Sequence, residues 1–138
     1  MKKYELTSET KVINGVKLHR IKALESFGRV EKGELGGWIE SEKNLSQDGD
    51  AWVFDNATVR GNAKVRRKED FIVFKNWWSS GRYFTWTRSN NKWKVDCFYG
   101  SGEELIAKAY KDSAKSGREY ERVVKYVESI LEEENNNK

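Results

Sequence analysis

The sequence holds a single cysteine, Cys97, and a single histidine, His19. One thiol excludes an internal disulfide and a CxxC metal site. One imidazole excludes a histidine-rich metal cluster. A reducing compartment, the cytoplasm, suits such a chain. No apolar run approaches the roughly 18 residues of a transmembrane helix. The amino terminus, MKKYELTSET, is charged and has no apolar h-region, so it does not read as a signal peptide. Proline is absent altogether, which by itself decides nothing.

What is present is a chain of 138 residues, one domain or two small modules. That length can bury a sizeable core. Aromatic residues make up 13%, too many for intrinsic disorder. The net charge of +4 is unevenly spread. Between residues 71 and 102 there are five basic side chains to one acidic, together with ten of the eighteen aromatics. Basic charge interleaved with aromatic rings suits a ligand that carries both a phosphate and a flat ring.

The chain opens on a β-hairpin signal. Lys11-Val12-Ile13 and Val16-Lys17-Leu18 flank Asn14-Gly15, the strongest two-residue turn pair. His19, beside Arg20 on the second strand, reads as a surface or half-buried residue; a catalytic role would need a partner that the sequence does not show. Gly36-Gly37 allows close backbone approach, and Trp38 after it reads as a plug over an open core. A six-residue period follows: Ala recurs at 51, 57 and 63, and Val at 53, 59 and 65, with Leu45 one step upstream. Such a period predicts about one coil of a left-handed β-helix, with three strands of an ordinary sheet as the alternative. One coil cannot bury its own apolar face, which predicts a homo-oligomer. The run Arg66-Arg67-Lys68-Glu69-Asp70 marks the expected module boundary, so the modules are 1–68 and 69–131.

From Phe71 to Phe98 the alternation predicts a three-stranded antiparallel meander, with Trp93, Val95 and Cys97 on its apolar face. Cys97 there reads as a buried, inert small hydrophobe. Ser101-Gly102-Glu103-Glu104 is a capping box opening a short helix. Ser116-Gly117-Arg118-Glu119 reads as a break and a second cap before a helix carrying Tyr120, Val123, Val124, Val127, Ile130 and Leu131. Residues 132–138 read as a disordered tail. The predicted fold class is α+β.

No GxSxG, HExxH or GxxxxGK[ST] motif is present. The reading is therefore a binding protein and not an enzyme, with no metal and no cofactor. Trp77-Trp78-Ser79-Ser80-Gly81-Arg82 is the most suggestive stretch. A Ser-Ser-Gly turn can present successive backbone N–H groups as a nest for an anion. Arg82 could clamp a phosphate, and Trp77 or Trp78 could stack on a base. Arg88, Lys92 and Lys94 lie around the next turn, and Arg118 and Arg122 could reach in from the second helix. The competing reading buries both tryptophans in the core and leaves Arg82 in solvent. A net of +4 with acidic carboxy-terminal helices disfavours extended nucleic acid and favours a nucleotide-sized ligand.

Residues 1–66, carrying YELTSETKVINGVKLHRIKAL, GELGGWIESEKNLSQDGDAWV and DNATVRGNAKV, resemble phage and prophage proteins in which the same cap precedes many hexapeptide coils. Hexapeptide repeats are also similar to those of acyltransferases and carbonic anhydrases built on left-handed β-helices. This chain stops after about one coil, so the expectation is a folding and assembly platform. Residues 71–131 resemble, in outline and in aromatic and arginine content, the phage sponges of signalling nucleotides in Thoeris and CBASS immunity. That resemblance implies a phage-encoded counter-defence protein acting in the bacterial host cytoplasm. It would bind a cyclic ADP-ribose-type or cyclic oligonucleotide messenger without cleaving it. The alternative is an anti-CRISPR-like inhibitor of a host immune protein, with the aromatic and basic surface as its interface.

Overall fold

The computed structural model describes residues 2–54 and 57–137. The protein is α+β, with two four-stranded sheets and two helices. The first sheet runs in the order β1 (Tyr4–Ile13), β2 (Val16–Ala23), β3 (Leu35–Ile39), β4 (Thr58–Val59). β1 and β2 are joined by Asn14 and Gly15 at φ of 50° and 78°. Two consecutive left-handed residues are what a type I′ turn demands. β3 then pairs parallel with β4, Ile39 opposite Val59, and Leu45 makes a parallel bridge to Val65.

Glycine is required where β3 crosses the repeat segment. A Cβ on Gly37 would lie 2.4 Å from the Ala57 carbonyl oxygen, and one on Gly36 would lie 2.6 Å from that of Val53. With the side chains gone, Gly37 N–H donates to Val53 O at 2.7 Å and Trp38 N–H to Ala57 O at 2.9 Å. Ala51, Ala57, Ala63, Val53, Val59, Val65 and Leu45 are all buried in one apolar cluster with Tyr4, Ile21, Ile39 and Trp52. Asp55 and Asn56 of the repeat lie outside the described residues. Trp38 is not the plug of this cluster. It is covered instead by Lys11, whose Nζ sits 4.3 Å from the ring centroid, and by Arg20. Trp52 fills the core.

The charged run at 66–70 ends in a 3₁₀ turn, Lys68–Asp70. The buried Asp70 carboxylate fixes it by accepting from the Arg66 and Arg67 amides at 2.8 and 3.0 Å. The second sheet is antiparallel in chain order: β5 (Phe71–Lys75), β6 (Tyr83–Thr87), β7 (Lys92–Val95), β8 (Phe98–Gly100). It has four strands where three were expected. The predicted single strand from Lys92 to Phe98 is broken by a tight turn at Asp96 (φ 48°) and Cys97. Cys97 is consequently exposed at a hairpin tip and not buried in the apolar face.

Helices α1 (Gly102–Asp112) and α2 (Ala114–Asn136) cover one face of this sheet. The Ser101–Glu104 capping box opens α1 as its sequence requires. α2 begins earlier than predicted, capped by Ser113, whose Oγ accepts from the Ser116 amide at 3.0 Å. Gly117 therefore lies inside the helix. Its missing side chain admits Tyr110, which a Cβ would approach to 2.2 Å. The helix also continues through Asn136, so residues 132–136 are ordered helix where a tail was expected. Among the described residues no helix is long and apolar enough to cross a membrane.

Phe84, Trp86, Trp93 and Val95 face the helices and pack with Leu105, Val124 and Val127. The alternate residues Thr85 and Lys94 are paired across β6 and β7 and face the first sheet, where Thr58 N–H donates to Thr85 Oγ1 at 3.3 Å. Tyr99 adds a second tie, its hydroxyl donating to Arg60 O at 3.1 Å.

Candidate functional site

A cleft of about 890 Å³ opens beside the second sheet. It lies between the loop after β5, the β7–β8 hairpin, and the junction of α1 and α2. Its floor is organised by Asn76, which is buried at 6% exposure. Asn76 Oδ1 accepts from the Ser79 amide at 2.9 Å, and its carbonyl accepts from the Gly81 amide at 2.8 Å. Its Nδ2 donates to the Tyr120 hydroxyl at 3.2 Å. Gly81, at φ 73°, closes the loop in the left-handed region that favours glycine. Ser79, Ser80, Ser113 and Ser116 thus border one opening, from three different elements.

Arg60 reaches the cleft from the first sheet. Its guanidinium lies over the Tyr99 ring at 4.3 Å, and its buried Nε has no hydrogen-bond partner among the described residues. Lys108 and Asp112 line the α1 side and pair at 3.5 Å. Burial raises the Tyr120 phenol above its ordinary value, the Asn76 hydrogen bond opposing. Burial likewise raises the Tyr99 phenol, against Asn90 and the Arg60 charge. Both stay neutral hydrogen-bonding groups at physiological pH. The arrangement can hold a polar, ring-bearing small molecule through hydroxyl, amide and guanidinium groups over tyrosine edges.

The residues singled out in the sequence do not converge as expected. Ser79 and Ser80 line the cleft. Their loop is no open anion nest, because the Ser79 and Gly81 amides are spent on Asn76 and the Arg82 amide on Ser80 Oγ at 3.2 Å. Trp78 points inward. Its half-buried ring meets Tyr120 edge-on at 4.9 Å and its Nε1 donates to Ser116 Oγ at 3.1 Å, which holds it against α2. Trp77 points outward, 66% exposed, with the Lys115 ammonium 5.6 Å from its centroid. Arg82 is exposed and paired to Asp96 at 3.0 Å. Arg88 lies elsewhere. Its Nε donates to Glu69 O at 2.9 Å, and it pairs with Glu134. Arg118 is exposed on α2, and Arg122 pairs with Glu119 at 2.7 Å. The reading missed Asn76, Tyr120, Arg60 and the Asp96–Cys97 turn. Only the Ser113 cap carried a local signal, an N-cap serine with helix formers after it.

No family model matches the chain. Over 74 residues it is 35% identical to an uncharacterized acetyltransferase, YdcK, of Escherichia coli (strain K12). The match spans 47% of this chain and 23% of that relative, so the chain covers less than a quarter of the protein it resembles. A likeness to an acetyltransferase fits loosely with a hexapeptide-repeat module. It overturns the expectation of a protein without enzymatic activity, since this relative bears the name of an enzyme. Its name says nothing of phages or of anti-defence.

Proposed function

We propose that this protein binds a nucleotide-bearing small molecule in the cleft between the β7–β8 hairpin and the two helices. The observation that carries the reading is the cleft itself. At about 890 Å³ it has the size of a small-molecule site, and its polar groups converge from four separate segments. Ser79, Ser80 and Ser116 offer hydroxyls, Arg60 a cation with an unpartnered Nε, and Tyr99 and Tyr120 aromatic edges.

Two ligand classes fit that description. The resemblance of the carboxy-terminal half to phage proteins favours a cyclic ADP-ribose-type or cyclic oligonucleotide messenger, bound in a bacterial host. The match to an acetyltransferase favours an acyl thioester carried on an adenine nucleotide. For the amino-terminal half we propose a partial hexapeptide coil that serves as scaffold and assembles into a homo-oligomer. The burial of every repeat Ala and Val described, and the parallel pairings Ile39–Val59 and Leu45–Val65, support it.

Calorimetric titration with cyclic dinucleotides, cyclic ADP-ribose, ADP-ribose and acetyl-coenzyme A tests the reading. Saturable binding of one class, weakened by S79A/S80A, is the expected result. Absence of binding across all four, or binding untouched by S79A/S80A, would sink it.

A further inference from the structure

A second, smaller cavity of about 400 Å³ lies between the two sheets, lined among others by Lys11, Thr58, Thr85 and Lys94. Lys94 is 6% exposed. Among the described residues its Nζ has no ion pair and no hydrogen bond. The side chain is buried along its length, and its ammonium, with no ion-pair partner, opens on the cavity, where an anion would meet it. On this wall the compensation of its charge is only partial. Asp96 is the one carboxylate among the described residues lining the cavity, and it is already paired to Arg82 at 3.0 Å.

The neighbours make matters worse for the ammonium and better for an anion. Lys11 lines the same cavity from β1, and Arg60 stands close enough to lower the Lys94 pKa together with it. The leading cause of that lowering is burial, with Cys97 and Asp96 opposing. Thr85 Oγ1 accepts from the Thr58 amide, which leaves its own proton free to donate into the cavity. The wall therefore presents the Lys94 cation without an ion-pair partner, the Lys11 cation held over the Trp38 ring, and a hydroxyl donor, beside one neutralised ion pair.

We propose that this inter-sheet cavity binds a phosphate-sized oxyanion, with the Lys94 ammonium as its anchor and Lys11 and the Thr85 hydroxyl as its further donors. The site stands whether or not the larger cleft takes a nucleotide. A bound oxyanion supplies the missing counter-charge and ties β7 to β1 across the junction of the sheets. The same chemistry is met by a free oxyanion or by a phosphoryl group carried on a larger molecule.

The test is a titration of the full chain with inorganic phosphate and, separately, with ADP, followed by backbone amide NMR. The parent is compared with K94M, K11Q and the cleft variant S79A/S80A. The expected result is a saturable shift of the Thr58, Thr85 and Lys94 amides, unchanged in S79A/S80A. Affinity should fall roughly tenfold or more in K94M, as for loss of a charge-assisted hydrogen bond, and by a smaller factor in K11Q. Saturation by phosphate identifies a free oxyanion as sufficient. Saturation by ADP alone identifies a carried phosphoryl group. Should K94M fail to fold, K11Q decides. The proposal is overturned if neither probe shifts those amides saturably, or if the folded lysine variants bind as the parent does.

Discussion

Asn76 ties the core to the rim of the cleft, and its removal gives the sharpest test of that architecture. Its side chain makes two hydrogen bonds, to the Ser79 amide at 2.9 Å and to the Tyr120 hydroxyl at 3.2 Å. Asn76 and Tyr120 are 6% and 7% exposed, so water does not replace the second bond freely. Each bond is worth about 1 kcal/mol net, and a buried group left unpaired adds to the loss. Asn76→Ala should therefore destabilise the protein by about 2–3 kcal/mol, lowering Tm by roughly 5–10 °C in a chain of this size. Tyr120→Phe removes the acceptor of only one bond and should cost about 1 kcal/mol. Because the two share that bond, the double variant should lose about 1 kcal/mol less than the sum of the singles. Urea denaturation followed by tryptophan fluorescence reads all three. Additivity within about 0.5 kcal/mol would show that the Asn76–Tyr120 bond does not hold the loop.

Gly37→Ala should destabilise by about 1–3 kcal/mol or more, since its Cβ would meet backbone at 2.4 Å and β3 would have to lift off the repeat segment; an unchanged urea midpoint would refute that close approach. Arg82→Ala should change stability by less than about 1 kcal/mol, because its pair with Asp96 is exposed, and the same denaturation curve checks it. Alkaline pH should act in two opposite directions. Burial lowers the Lys3 and Lys94 pKa values below 10.5, so their folded forms shed protons first and stability rises with pH below that value. Burial raises the Tyr4, Tyr99 and Tyr120 phenols above 10.0, so the unfolded chain ionises first and stability falls as pH climbs beyond it. A urea midpoint that kept rising through the tyrosine range would contradict those burials.

The parts of the fold legible in the sequence are those fixed by neighbours in the chain. Asn14-Gly15 dictates its hairpin through backbone conformation alone. Ser101 and Glu104 cap α1 within one turn of helix, and the repeat alanines and valines are buried as their period implies. The Asp96–Cys97 turn is hidden in the sequence because the alternation from Lys92 to Phe98 continues across it. Nothing in that pattern says that the strand reverses, so it places Cys97 on the apolar face and not at the exposed hairpin tip. The helix start at Ser113 was displaced by Gly117, whose role is steric and set by Tyr110 from the neighbouring helix.

The cleft was largely illegible for a different reason. Trp77 and Trp78 are adjacent, and which of them turns inward is decided by Tyr120 and Ser116, some forty residues away. Arg60 belongs to the repeat, where its neighbours give no hint that it reaches across to Tyr99. In the sequence Lys94 is one of three basic residues around a turn, on the polar face of its strand. It is buried because the first sheet covers that face, a packing no local period encodes.

Cys97 gives the most direct measurement of the central claim, because its exposed thiol lines the proposed ligand cleft. Alkylation of Cys97 in the folded chain should be slowed by saturating amounts of the nucleotide-bearing ligand that the cleft accepts, and the protection should vanish in S79A/S80A. Alkylation at the same rate with each cyclic nucleotide, ADP-ribose derivative and acetyl-coenzyme A would contradict a nucleotide-bearing occupant of the cleft.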